Sequence, residues 1–175
     1  MKRSRRWIIA IAVVVLLAAA ALWYTRPLTL TELLGAEPAR IHMVISRFDQ
    51  AGGSQTRELN ADWDQAPEAT ALAEELTVRR SLLNPLRSLL NPVQFGTSDV
   101  YKRQGTPTQA GDYNYLLSLT GREGDRVTLQ WFVDQWSYET PGTSRYLPCS
   151  VSASRSGGEL GDALWELSHP IESNS

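Results

Sequence analysis

Tyr113–Val133, YNYLLSLTGREGDRVTLQWFV, alternates apolar and polar side chains on both sides of a glycine-bearing reversal. Tyr113, Tyr115, Leu117 and Leu119 share one face of the first half. Val127, Leu129, Trp131 and Val133 share one face of the second, opposed by Thr128, Gln130 and Asp134. Successive side chains of a strand point to opposite faces, so this period of two predicts a half-buried hairpin turning at Gly121–Gly124 and Asp125. Downstream, Trp136 and Tyr138 prolong the pattern until Pro141-Gly142 turns the chain. Tyr146–Val151 is then expected as a third strand, with Pro148 marking an edge or a bulge.

Working back from the hairpin, Ile41, Met43 and Ile45 alternate with His42, Val44 and Ser46 and predict a strand running to about Arg47. Asp49–Gly53 reverses the chain and Ser54–Leu59 returns as a shorter partner. Between the two hairpins the period changes. Pro67 suits the first position of a helix, where its missing amide would be unpaired anyway, and Ala69, Leu72, Ala73 and Leu76 follow at three-four spacing. Arg79 and Arg80 are expected to finish this helix, with charge of the sign its C-terminus favours. A second amphipathic helix is expected over Glu159–Leu167, stopped by Ser168-His-Pro170. The fold class expected is α+β: a domain over 36–170 with an antiparallel sheet of about five strands packed against two helices, followed by a tail at 171–175.

The N-terminus has a different character. Trp7–Tyr24, WIIAIAVVVLLAAAALWY, holds no charge, and as a helix it reaches about 27 Å, close to the thickness of a bilayer's hydrocarbon core. Trp7, Trp23 and Tyr24 sit at its ends, where amphipathic rings favour the lipid-water boundary. Lys2, Arg3, Arg5 and Arg6 precede it and Arg26 follows it, which predicts a cytoplasmic basic segment at 1–6, a single membrane span at 7–24 and the remaining chain outside the cytoplasm. The Ala18–Ala21 run also offers a small-residue cleavage pattern, so secretion after signal cleavage is the alternative, although the bulky Leu22-Trp23-Tyr24 favours retention. Residues 25–35 are expected as a juxtamembrane linker and a short helix, because Thr29 and Glu32 have capping-box spacing and Gly35 supplies a stop.

Residues 80–105 fit neither period. Arg80-Ser-Leu-Leu-Asn-Pro85 recurs as Arg87-Ser-Leu-Leu-Asn-Pro92, and each copy ends in Asn-Pro, which disfavours helix. Gly96–Gln104 resembles a short peptide that recurs in translated metagenomic fragments as a sequencing or assembly remnant, which implies that residues around 97–104 are not native sequence. The alternative reading is a flexible loop.

Five of the 17 Lys and Arg residues lie in the first 26 positions, whereas all 19 Asp and Glu residues come later. The outer part is therefore acidic and is expected to repel nucleic acid and anionic lipid headgroups, no local basic patch being read in it, and Arg79-Arg80 is expected to face solvent beside Glu74 and Glu75. Cys149 is the only cysteine, so no intrachain disulfide forms. His42 and His169 stand at opposite ends of the outer chain, and no metal-ligand spacing joins them. Asp62 and Asp64 flank Trp63 without the glycine-centred loop of a calcium hand, and no serine lies in a nucleophile elbow. No catalytic residue, metal ligand or cofactor is read from the sequence.

The feature above background is aromatic. Trp136 and Tyr138 share a side if their strand continues, and exposed together they would stack on a sugar or hold a peptide. The function expected is a non-enzymatic binding or interaction module of a bacterial cell envelope, held by the lipid bilayer at Trp7–Tyr24 and engaging an envelope protein, peptide or cell-wall glycan. An exported hydrolase with residues that leave no motif is the second expectation, and a structural assembly subunit the third.

Overall fold

The computed structural model describes residues 2–48, 53–82, 113–132, 135–143, 146–153 and 157–170. The turn at 49–52, Val133 and Asp134, the second RSLLNP copy, the segment 97–104 and the tail 171–175 lie outside the described residues. Helix α1 (Lys2–Tyr24) leads through β1 (Pro27–Thr29) into the short helix α2 (Leu30–Leu34). The chain continues as β2 (Pro38–Phe48), β3 (Ser54–Asp62), a 3-10 turn (Trp63–Gln65), α3 (Pro67–Glu75) and β4 (Thr77–Arg80). It ends as β5 (Tyr113–Gly121), β6 (Arg126–Phe132), β7 (Gln135–Glu139), β8 (Leu147–Ser152), α4 (Gly157–Leu167) and β9 (His169–Pro170).

The strands of the described residues form one sheet of nine, ordered β1-β4-β8-β7-β6-β5-β2-β3-β9, and each neighbouring pair is antiparallel. The sequence reading of about five strands is corrected upward, for a physical reason. Trp136 and Tyr138 do not prolong β6 but lie on β7, a separate strand antiparallel to it, and β1, β4 and β9 have three, four and two residues, too few to display a period, and exist because a neighbour supplies their hydrogen bonds. The two hairpins β2–β3 and β5–β6 form as their alternation predicts, and β2 joins them by pairing with both β3 and β5.

Helix α3 also ends earlier than its periodicity suggests. Leu76 turns extended at φ −78, ψ 125, and Thr77–Arg80 leaves as a strand rather than as a last helical turn. Thr77 and Val78 are β-branched, which favours that choice, and Val78 is fully buried against Leu28 of β1 and Val151 of β8 in register. At α2 the capping box is complete: the Thr29 hydroxyl accepts from the Glu32 amide, and the Glu32 carboxylate accepts from the Thr29 amide at 2.8 Å. Gly35 closes α2 in the left-handed region at φ 71.

One apolar core lies on the sheet face that carries Ile41, Met43, Ile45, Leu117, Leu119, Val127 and Leu129. It is covered by Leu30, Leu33 and Leu34 of α2, Ala69, Leu72 and Ala73 of α3, and Leu160 and Leu164 of α4. None of the apolar window of α1 is buried by this domain, and Trp7, Leu16 and Trp23 are about two-thirds exposed, at 67%, 68% and 67%. The chain therefore pairs a single apolar N-terminal helix, long enough to cross a membrane, with an α+β domain built on a large antiparallel sheet.

Candidate functional site, an aromatic cluster around Tyr115

Strands β5, β6 and β7 set three aromatic residues side by side on the core face, because Tyr115 pairs with Trp131 and Trp131 pairs with Trp136. The Tyr115 and Trp131 rings stack at 6.4 Å, Trp131 and Trp136 meet tilted at 5.0 Å, and Trp136 presents an edge contact to Tyr115 at 5.4 Å. Such contacts are worth ~0.5–1.5 kcal/mol each beyond the area they bury. Tyr115 is 4% exposed, whereas both tryptophans are half-buried and keep part of their surface at the solvent boundary.

The Tyr115 hydroxyl is buried without a hydrogen-bond partner, the one such side-chain atom among the described residues. Burial alone pushes its phenol well above the ordinary range. Leaving a buried hydroxyl unpaired costs about 1–3 kcal/mol, and this one belongs to a ring packed against two half-buried tryptophans. Tyr113, one step along the same face, makes the contrast. Its hydroxyl donates to Asp162 Oδ1 of α4 at 2.6 Å, and burial together with that hydrogen bond also raises its phenol. Trp165 packs 6.3 Å from Tyr113, with Arg57 lying over the Trp165 ring and donating to its carbonyl at 3.1 Å. The aromatic band thus runs from α4 across three strands to Trp136.

The two residues singled out by spacing, Trp136 and Tyr138, do share a face, yet they differ in access. Trp136 belongs to the half-exposed cluster, while Tyr138 is 2% exposed between Leu129 and Leu147 and belongs to the core. Tyr138 therefore offers no ring to solvent. Tyr115 and Trp131 are the members that sequence reasoning left in the core. The available signal was a tyrosine at an inward strand position, which forces a hydroxyl into apolar surroundings. Its weight emerges only when the register shows what stands beside it.

The cluster lies near the end of α1. Strand β8 pairs with β7 at Pro148–Ser137 and passes to β4 at Cys149–Arg80, so Trp136 and Cys149 are the next residues on adjoining strands. Two strand spacings separate Trp136 from Arg80, roughly 10 Å. Arg80 Nε in turn donates to the carbonyl of Tyr24, the last residue of α1, at 3.1 Å. Cys149 is a free cysteine whose thiol burial pushes up to about 12, so it is protonated at neutral pH and a poor nucleophile.

The opposite face of the sheet carries a polar row beside Val44 and Leu116. A lateral row crosses five strands as Asn60, His42, Ser118, Thr128 and Glu139. His42 Nε2 lies 2.8 Å from Glu58 Oε1, and the buried Ser118 and Thr128 hydroxyls bond to each other at 3.0 Å. His169, far from His42 in sequence, is brought by β9 into register with Glu58. That juxtaposition corrects the expectation of two distant histidines, because β3 lies between β2 and β9. Among the described residues no group of three His, Cys, Asp or Glu side chains is arranged to hold a metal ion. Asp62 makes no side-chain cap at the turn after it and lies 3.7 Å from Arg40 instead.

No protein-family model, curated protein or solved structure matches this chain. The functional reading therefore rests on the geometry. That geometry is a pair of half-buried indoles packed against the ring of Tyr115, whose hydroxyl is buried without a partner.

Proposed function

We propose that this chain is a single-pass membrane protein with its N-terminus in the cytoplasm, and that its outer domain is a non-enzymatic binding module of the cell envelope. Its ligand is an envelope protein, a peptide or a cell-wall glycan, bound through Trp136 and Trp131 above the Tyr115 hydroxyl. The observation that carries this reading is the buried, unpartnered hydroxyl of Tyr115, whose ring packs against two tryptophans that are themselves only half-buried. The basic residues before α1 support the orientation, and the unburied apolar surface of α1 supports the anchor.

The test is photocrosslinking in intact cells through a photoreactive residue at position 136, with position 62 on the half-exposed Asp62 as control. A discrete protein or glycan adduct at 136 and not at 62 is expected. A folded, membrane-inserted chain that yields no adduct at 136 overturns the assignment of the aromatic cluster.

A further inference from the structure

Helix α1 ends at one margin of the sheet, and the strands beside it have an end in common there. β1 starts at that margin, directly after Arg26, and β4 finishes at it, because Pro27 pairs with Arg79. Arg80 then reaches back to the helix, its guanidinium 4.5 Å from the Tyr24 ring centroid and its Nε donating to the Tyr24 carbonyl. The Arg26 guanidinium lies 4.3 Å from the Trp23 ring centroid. The chain leaves β4 through Ser81 and Leu82, and two residues carry Leu82 no more than about 7 Å from Arg80.

Leu82 is 52% exposed, and among the described residues it is the one exposed large apolar side chain outside α1. A single leucine on a protein surface is ordinary. This one comes at the strand end that Arg80 ties to α1, where Leu22 and Trp23 are themselves 73% and 67% exposed. The same margin is free of acid: Thr25–Thr29, Thr77–Leu82 and Leu147–Ser152 contain no Asp or Glu. Glu32, Glu37, Asp62, Glu75, Glu123 and Asp125 belong instead to the other end of the sheet, after β1 and β3, before β2 and β4, and in the β5–β6 turn. The expectation that Arg79-Arg80 faces solvent beside Glu74 and Glu75 is corrected, because Arg80 lies over Tyr24 and both carboxylates precede the far end of β4, on the order of 15 Å away along the strand.

We infer that the outer domain rests on the bilayer surface at this margin, with Leu82 entering the boundary between headgroups and acyl chains beside the exit of α1, an inference that rests on the membrane-anchor reading of that helix. Trp and Tyr rings settle at headgroup level, so Trp23 and Tyr24 set the height at which the chain leaves the hydrocarbon. The Arg80–Tyr24 hydrogen bond and the pairing of β1 with β4 hold the end of β4 near that height. An apolar side chain exposed there leaves water by entering the interface, which is the driving force of peripheral membrane contacts. The acids that repel anionic headgroups stand at the far end of the sheet, so the domain approaches the membrane by its acid-free margin. Docked in this way it holds Trp136 two strand spacings, roughly 10 Å, from Arg80, and a ligand of the aromatic cluster is met close to the bilayer.

The experiment uses the full chain in vesicles of phosphatidylcholine mixed with phosphatidylglycerol, carrying a photoreactive residue at position 82 or, as control, at position 62 on the far end of the sheet. Intact mass after illumination is expected to show a lipid adduct from 82 and none from 62. With the photoreactive residue moved to position 81, Leu82→Asp should lower the lipid adduct roughly five-fold, the effect of one like charge at an anionic surface, and Leu82→Met should keep it. Leu82 is exposed, and unchanged circular dichroism of the variants shows that the fold is intact. A folded, inserted chain with no lipid adduct from 82, with equal adducts from 82 and 62, or with an adduct from 81 indifferent to Leu82→Asp overturns the contact while leaving the anchor standing. Release of the chain from the vesicles by carbonate overturns the anchor reading itself, and the contact with it.

Discussion

Arg80 caps helix α1 from inside the folded domain, its Nε donating to the Tyr24 carbonyl oxygen at 3.1 Å while its guanidinium covers the Tyr24 ring. The last carbonyls of a helix lack intrahelical donors and carry the negative end of its dipole, so a cation there is doubly favourable. Thr25 adds to the closure by donating its amide and its hydroxyl to the Ala21 carbonyl at 3.0 and 2.9 Å. The connection between helix and domain is consequently a joint made of backbone pairing and a side-chain cap.

Arg80→Ala should loosen this joint. The loss of a charge-assisted hydrogen bond and a cation-π contact is expected to cost about 1–2 kcal/mol locally. Amide exchange in β1 and β4 should quicken and proteolysis around Thr25–Pro27 should increase, while the β5–β6 hairpin stays protected. Arg80→Lys keeps the charge without the Nε donor and should fall between the two.

Tyr115→Phe removes a buried hydroxyl that bonds to nothing in the free protein. Relief of that unpaired group should leave the unfolding free energy unchanged or raise it by about 1 kcal/mol. Crosslinking from position 136 should weaken in the same variant if the proposed ligand uses this hydroxyl as a hydrogen-bond partner. A stability loss comparable to that of a core truncation would show instead that the hydroxyl is satisfied within the fold.

Gly161→Ala tests how α4 seats on the sheet. A Cβ at this position would lie 2.7 Å from Cγ of Tyr113, inside the ring's van der Waals surface. Either α4 or Tyr113 must shift, and overpacking of this kind costs about 1–3 kcal/mol. The Tyr113–Asp162 hydrogen bond should break with it, visible as a fall in the denaturation midpoint.

Alkalinity should destabilise the domain through its buried acids. Cys149 keeps its proton in the fold up to about 12, whereas in the unfolded chain it ionises near pH 9. Above pH 9 the folded state therefore binds more protons than the unfolded one, and stability falls as pH rises toward 12. Tyr115, raised by burial as well, extends the loss in the same direction. Iodoacetamide at neutral pH should modify Cys149 only slowly in the native protein and readily after denaturation, as measured by intact mass.

Much of the fold was legible because its signals are local and periodic. Alternation at Tyr113–Leu119 and Val127–Trp131 marks strands that must bury one face, and the Thr29–Glu32 pair marks a helix start by a contact across three residues. The end of α3 departs from its periodicity because, although Arg79 and Arg80 suit a helix C-terminus, the competing attraction, strands β1 and β8 on either side of β4, is non-local. Trp136 was legible as an aromatic near a strand end, but spacing alone gave Tyr138 equal standing, and only its position between Leu129 and Leu147 separates the two.

By itself, then, the sequence determined the apolar N-terminal helix, the two hairpins, the amphipathic helices and the α+β class, since each follows from a pattern read within about twenty residues. Tertiary structure alone decided the nine-strand order, the company Tyr115 keeps, the meeting of His169 with Glu58 and the return of Arg79 and Arg80 to the end of α1. These depend on which edge each strand finds, a choice governed by hydrogen bonds between residues far apart in the chain, and such pairings leave no mark in the spacing of either partner.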